Sequence, residues 1–262
     1  MAVSQRDFLC HTNRLDMENQ RKVEWFEEWF NTSYYHTLYK HRNDEEAALF
    51  IRNLANHLSI SKDHAYILDL ACGKGRHSIY LNTLGYRVKG VDLSEQSISH
   101  ATRFANDTLS FQVQDMREPL TDKFTHIFNL FTSFGYFDSH EENQKVLHAI
   151  DQMLDKEGVL VIDFMNSAKV IENLVTEELK KVDDIAFHLK REYDGQHIYK
   201  HISFSDKGQD FEYTERVQAL KLNDFSRLID ATDLQIIRTF GDFHLNPFDE
   251  KTSDRLILIA KK

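Results

Sequence analysis

Glycine, proline and cysteine are all scarce in this 262-residue chain, which has nine, two and two of them. Ordinary usage of roughly 7% and 5% would supply about 18 glycines and about 13 prolines. So few rule out a collagenous segment, a Gly-rich flexible array and a Pro/Gly low-complexity linker. Two cysteines, Cys10 and Cys72, cannot build a disulfide framework and fit a reducing compartment. The longest apolar runs, residues 159–162 and 256–260, fall far short of the ~18 residues a spanning helix needs. The N-terminal stretch has neither an apolar h-region nor a small-residue cleavage site. A soluble, cytoplasmic protein with no membrane contact is expected. Positive charge is also in deficit, with 32 Lys+Arg against 42 Asp+Glu and a formal net charge of −10. An acidic surface repels phosphate backbones and disfavours a nucleic-acid partner, and the one dense basic cluster, Arg21-Lys22, is too short for a groove. Among the 14 histidines no pair has helical zinc spacing near a third ligand. His197 and His201 fall in a predicted strand, where such a pair sits ~13 Å apart, so no metal site is expected.

Aromatic residues are plentiful, with 19 Phe, 10 Tyr and 2 Trp to fill a core. Residues 21–31 and 44–59 place apolar side chains at helical spacing, the second with Leu49, Phe50, Leu54 and Leu58. The pattern then changes. Strands are expected over 65–71, 86–91, 109–113, 125–131 and 159–164, with helices over 76–84, from an N-cap at Ser94 to about 106, and over 141–154. Strands alternating with helices imply βαβ units, a parallel sheet and right-handed crossovers. After about residue 180 the rhythm breaks into three consecutive strands, 184–193, 197–205 and 211–220, joined at Asp194-Gly195 and Lys207-Gly208. A helix over 222–231 and strands over 234–240 and 255–260 complete the chain. The hairpins read as an antiparallel insertion that could cover a site.

The most specific segment is Ile67-Leu68-Asp69-Leu70-Ala71-Cys72-Gly73-Lys74-Gly75-Arg76-His77-Ser78. Two of the few glycines stand at a strand-to-helix turn, where the backbone can approach a ligand and the helix aims its free N–H groups at it. A dinucleotide fingerprint needs a third glycine, and Ser78 stands in its place. Asp69, before the glycines, would repel a pyrophosphate and suits a cationic ligand bearing a sulfonium and an ammonium. Asp92 ends the second strand, where an acid accepts hydrogen bonds from ribose hydroxyls. Asp115 follows the third strand, within reach of an adenine amine.

At these residues the chain resembles the class I S-adenosylmethionine (SAM)-dependent methyltransferases. LDLACGKGRHS resembles their first motif, GVDLSEQSI the ribose-binding motif, VQDMREP the adenine-side motif and THIFNLFTSFGYF the fourth-strand motif. The resemblance covers roughly residues 65–165 and continues more weakly through EGVLVIDFMN and RLILIAKK. It implies an α/β fold, a Rossmann-like doubly wound seven-stranded sheet with its last strand antiparallel, plus an antiparallel β lid insertion. The implied division of the single domain is an N-terminal helical cap (1–60), a SAM-binding core (61–180), a hairpin lid (181–221) and the end of the core sheet (222–262).

The resemblance also implies residue roles. Asp69, Gly73 and Gly75, with His77, would shape the methionine side. Asp92 and Leu93 would take the ribose, Asp115 and Met116 the adenine, and Asn129 and Leu130 would offer backbone groups near the sulfonium. Ala71 stands where many members have glycine. The segment from Tyr34 through Tyr39 to Arg42 resembles the aromatic stretch that small-molecule members fold over the cofactor, and the insertion resembles the lids of glycine, sarcosine and amino-sugar N-methyltransferases.

The expected reaction is in-line methyl transfer from SAM to a small-molecule amine or hydroxyl, releasing S-adenosyl-L-homocysteine (SAH). Proximity, alignment and exclusion of water should dominate. Base-amine and glutamine methylation use an Asn/Asp-Pro-Pro-aromatic run, which Asn129-Leu130-Phe131-Thr132 lacks. Thr132, Ser133, Tyr136 and Phe137 are candidate acceptor-pocket residues, with Tyr136 near the chemistry and aromatic walls able to hold an ammonium. His36 and His244 are candidate bases by position. Three rivals are a NAD(P)-dependent oxidoreductase, an RNA-modifying methyltransferase and a SAM-binding regulator. Monomer and homodimer both remain open.

Overall fold

The computed structural model describes residues 25–40 and 44–262. In chain order the elements are α1 (Trp25–Phe30), α2 (Ser33–Leu38), α3 (Asp44–His57), β1 (Tyr66–Leu70), α4 (Arg76–Thr83), β2 (Arg87–Asp92), α5 (Glu95–Ala101), β3 (Leu109–Val113), β4 (Phe124–Asn129), α6 (His140–Met153), β5 (Leu154–Met165), α7 (Ser167–Glu172), β6 (Glu177–Val182), β7 (Ile185–Tyr193), β8 (His197–Asp206), β9 (Gln209–Gln218), α8 (Leu222–Ile229), β10 (Gln235–Phe240) and β11 (Arg255–Lys261).

Adjacent apolar residues of the central strands divide between two cores, because successive side chains of a strand point to opposite faces. On one face Leu68, Ile127, Leu160, Ile162 and Leu258 pack with Val146 and Ile150 of α6 and Phe225 of α8. On the other, Ile67, Phe128, Val161 and Ile257 pack with Phe50, Ile51 and Leu54 of α3 and Leu81 of α4. A sheet apolar on both faces must be covered on both. The result is a seven-stranded sheet in the order β10-β11-β5-β4-β1-β2-β3, in which β11 runs antiparallel to both of its neighbours. The helix ends follow local chemistry. Ser94 accepts from the Ser97 amide at the start of α5, and Ser139 caps α6 by accepting from Glu142.

β6 to β9 form a separate four-stranded antiparallel sheet. It has one strand more than the hairpin pattern predicts, since β6 reads EELKKV and carries almost no apolar run. Its inner face (Val182, Phe187, Leu189, Ile202, Phe204) packs on Trp29 of α1 and Leu38 of α2. Three further differences from the sequence expectation concern element bounds. α5 stops at Ala101 and tightens into a 3₁₀ turn over Thr102–Phe104. β5 begins at Leu154, five residues before the expected 159. β4 ends at Asn129 because Phe131 and Thr132 turn into the left-handed region, at φ +65° and +59°.

Phe111 of β3 fixes two glycines. A Cβ on Gly90 of β2 would stand 2.7 Å from its ring and 2.8 Å from Ser78 Oγ, and one on Gly75 would stand 2.7 Å from the same ring. Gly90→Ala should therefore overpack this junction and destabilise the protein by about 1–3 kcal/mol. A thermal melt checks this, and Phe111→Leu in the same chain should recover part of the loss.

Candidate active site

Strand order reverses direction between β1 and β4, and a crevice opens there beyond the carboxyl ends of the strands. The chain leaving β1 passes through Ala71 at φ +62° and Gly73 at φ +56° before Gly75, at φ +82°, opens α4. An added Cβ on Gly73 would meet no protein atom within 4 Å, so its backbone faces open space. Asp92, at the end of β2, holds this loop. Its Oδ2 accepts from the Gly73 amide and its Oδ1 from the Ser94 amide, each at 2.8 Å. Burial nonetheless raises its pKa.

The resulting cavity measures about 420 Å³. Its floor includes Ala71, Gly73, His77, Asp92, Leu93 and Leu130. Asp115 and Met116 stand at the β3 side. Phe26 and Phe30 of α1, Tyr35 and His36 of α2, Tyr39 after it, and Tyr136 and Phe137 after β4 add an aromatic wall. Phe30 and Tyr35 have ring centroids 4.8 Å apart and Phe30 and Tyr136 5.6 Å. A hydrogen bond between Ser94 Oγ and Asn31 Oδ1 ties the α1–α2 turn to the end of β2.

Other expected site residues do not line this cavity. Asp69 is 1% exposed and its Oδ2 accepts from Ser78 Oγ at 2.5 Å. Burial, with the charge of Asp92 nearby, pushes it up to about 6, and the bond to Ser78 ties the end of β1 to α4. Gly75 lies under Phe111 rather than at the cavity. Asn129 is fully buried and donates from Nδ2 to the Leu70 carbonyl at 3.0 Å, joining β4 to β1. Tyr34 faces the four-stranded sheet, where its hydroxyl donates to Asp206 Oδ2 at 2.9 Å and its ring packs on Phe204 and Phe211. His244 is exposed in a loop anchored on α3 through Phe243, whose ring meets that of Phe50 at 4.5 Å. Thr132 accepts from Arg255 Nη2 at 3.0 Å and is turned from the cavity. Arg42 lies outside the described residues.

Two wall residues are already engaged. Both Asp115 oxygens accept from Arg117, including Nη2 to Oδ2 at 2.6 Å, and Arg117 also donates to Glu142. The Tyr39 hydroxyl donates to Glu215 at 2.6 Å and accepts from Lys200, so the ring faces the cavity while its polar tip is fixed to β8 and β9. Sequence reasoning missed Phe26 and Phe30. The aromatic density of WFEEWF was the available signal, but aromatics on a helix read equally as core.

The turn at Phe131 and Thr132 is strained. Two consecutive non-glycine residues in the left-handed region cost on the order of 1–2 kcal/mol each. Neither Asp163 nor Arg255, which surround this turn, was singled out by sequence. Both are isolated charges in apolar strands, VIDFM and RLILIA, which is the readable signature of a buried ion pair.

A family profile described as a methyltransferase domain matches residues 61–216 of the chain. The chain belongs to the class I SAM-dependent methyltransferases. This methyltransferase is 25% identical over 207 residues to the putative methyltransferase YqeM of Bacillus subtilis, covering 75% of this chain and 83% of that one. It is 25% identical over 266 residues to a glycine/sarcosine N-methyltransferase of Aphanothece halophytica, covering 94% and 91%. Its fold matches the crystal structure of a SAM-dependent methyltransferase from Clostridium acetobutylicum with a TM-score of 0.74, at 19% identity over 87% of this chain and 95% of that one. Nothing in these relationships supports the oxidoreductase or RNA-directed readings. Among the described residues no helix of the methyltransferase is long and apolar enough to cross a membrane.

Burial lowers three histidines furthest: His36 to about 4, with help from Lys74, His77 to about 3, with help from Arg76, and His126 to about 4. All three are neutral in the folded methyltransferase at pH 7. As pH falls from 6.5 towards 4, the unfolded chain takes up these protons and the folded chain does not, so stability is lost. Asp69, raised to about 6, acts in the opposite sense over most of that window, and the raised pKa of Asp92 works in the same opposing direction. The melting temperature should fall on acidification from pH 7 to 4.5. His126→Gln should flatten that fall by up to about 1.4 kcal/mol per pH unit, as pH-dependent melts would record.

Proposed function

We propose that this methyltransferase transfers the methyl group of SAM to the nitrogen of a small-molecule amine and releases SAH. The observation that carries this reading is the aromatic wall that α1 and α2 place around a cavity of about 420 Å³. That volume belongs to the ~300–1,000 Å³ range of small-molecule sites. The likeness over nearly the whole chain to a glycine/sarcosine N-methyltransferase supports an amine acceptor.

The donor set fits SAM. Asp92 is an acid at the end of β2 with its oxygens turned to the loop and the cavity, suited to ribose hydroxyls. Leu93 and Met116 supply apolar surface for a flat base. The space above Gly73 admits a ligand chain against the backbone. Because the Asp115 carboxylate is engaged by Arg117, it frames the base pocket as half of an ion pair. When bound, SAM supplies a methyl group on a sulfonium, an electrophile that needs no covalent help from the protein. The protein's residues therefore bind, align and exclude water. The aromatic rings attract the acceptor's ammonium form. The ammonium gives its proton to solvent before transfer, since His36, held near 4, is too weak a base to take it. Its neutral imidazole is a wall group able to accept a hydrogen bond from the acceptor nitrogen.

Thermal melts with SAM, SAH, NAD and NADP test the cofactor site. A ligand at 100 times its dissociation constant stabilises by about 2.7 kcal/mol, so SAM and SAH should raise the melting temperature and the nicotinamides should not. Asp92→Ala should remove the shift, and an undiminished shift would mean the ribose sits elsewhere. Transfer of tritiated methyl groups to a panel of amines, alcohols and RNA should label the amines alone. With an accepted amine in hand, His36→Gln, which keeps a hydrogen-bonding side chain, should lower kcat by less than the ~100-fold that loss of a general base costs. Labelling of RNA or alcohols in place of amines would overturn the acceptor reading.

A further inference from the structure

Phe131 and Thr132 hold their left-handed conformation in a web drawn from two residues that the proposed function leaves unused. Asp163 of β5 is fully buried. Its Oδ2 accepts from the Phe131 amide at 2.8 Å, and its main-chain carbonyl accepts from the Thr132 amide at 2.9 Å. Its Oδ1 accepts from Arg255 Nε at 2.8 Å. Arg255, the first residue of β11, reaches on to Thr132 Oγ1 from Nη2 at 3.0 Å. Its guanidinium also lies over the rings of Phe131 and Phe243, 5.8 and 5.6 Å from their centroids. Neither Asp163 nor Arg255 lines the cavity, whereas Leu130, Phe131 and Ser133 do.

We propose that Asp163 and Arg255 are positioning residues, a buried ion pair that clamps the Phe131–Thr132 turn and so sets the part of the cavity wall where β4 ends. Left to itself a Phe-Thr pair abandons the left-handed region, where Cβ crowds the following carbonyl. Here the turn is over-determined by two amide donors and one hydroxyl acceptor, the condition under which such strain persists at functional sites. Each partner needs the other. A carboxylate this deep is stable only when paired, and only a planar fork serves Asp163 Oδ1 and Thr132 Oγ1 together, which a lysine ammonium on a flexible stem does not. The clamp joins β4 to β5 and β11, so the wall's shape depends on the antiparallel strand as well as on the cofactor loops. This inference rests on reading the cavity as the SAM site.

The test is made with Arg255→Lys, which keeps a positive charge beside Asp163 and loses the fork, and with Thr132→Val, which keeps the ion pair and removes only the hydroxyl acceptor. SAH affinity is measured by calorimetry, and amide hydrogen exchange is followed over residues 129–137. Both variants should weaken SAH binding by about tenfold and speed exchange at Phe131 and Thr132. Thr132→Gly added to Arg255→Lys should bring the affinity back to within about threefold of wild type, because glycine accepts the left-handed conformation freely. A merely structural pair would lower the melting temperature without that rescue. Wild-type affinity and exchange in Arg255→Lys would overturn the clamp, as would a loss that Thr132→Gly deepens. If the wild-type protein bound neither SAM nor SAH, the cofactor reading would fail, and exchange at Phe131 and Thr132 in the two variants would decide the clamp alone.

Discussion

A sheet whose central strands are apolar on both sides has to be covered on both, and the site follows from how the chain meets that demand. Ile67 and Leu68 of β1 belong to different cores, as do Ile127 and Phe128 of β4. The crossovers from β1 and β4 must therefore run to opposite sides of the sheet. Where they part, the carboxyl ends of β1, β2 and β4 are left uncovered, and the cavity lies there. Helices on both faces make the crevice, and the loops that line it inherit their positions from strands that have no freedom to shift.

Polar groups in this rigid setting act mostly at one remove. Asp69 braces Ser78, Asn129 joins β4 to β1, and Asp163 with Arg255 gathers the turn after β4. None of these lines the cavity. Of the acids at the first three strand ends, Asp92 is both exposed to the cavity and hydrogen-bonded to the loop that it holds. Charge below the surface of the site thus fixes backbone, while α1, α2 and the segment after β4 give the cavity one aromatic wall beside a lining that also carries Lys74, Arg76, Asp92 and Asp115. Such a wall is suited to excluding water around a methyl transfer and to attracting a cation.

The four-stranded sheet takes part through its grip on the N-terminal helices. Glu215 of β9 receives both Trp29 Nε1, at 2.7 Å, and the Tyr39 hydroxyl, and Lys200 of β8 donates to the same hydroxyl. The aromatic wall is therefore anchored from behind by a sheet that is separate from the central one. Tyr34 shows the cost of reading such a segment by composition. One position along the helix from Tyr35, it points to Phe204 and Asp206, because neighbouring residues on a helix lie on different faces.

Much was legible without coordinates. Period-2 apolar runs alternating with helical ones point to a doubly wound sheet, and Gly73 and Gly75 between two strand-end acids mark the turn after β1 where the cavity opens, since both are local patterns of backbone geometry. β6 was not legible, because an edge strand with one buried side chain leaves no apolar trace. The roles of Asp115, Gly75 and His244 were not legible either. Arg117 lies two residues from Asp115, yet the bond that engages it shows only in the folded loop, and Phe111 and Phe50, which meet Gly75 and the neighbour of His244, are brought there from distant elements. The same holds for Asp163 and Arg255, ninety-two positions apart in sequence. The fold and the cofactor class can be read from the residues alone, because they depend on short-range periodicity and motif spacing. Which side chains face the cavity and which hold it in shape emerges on folding, because it depends largely on partners drawn from distant strands.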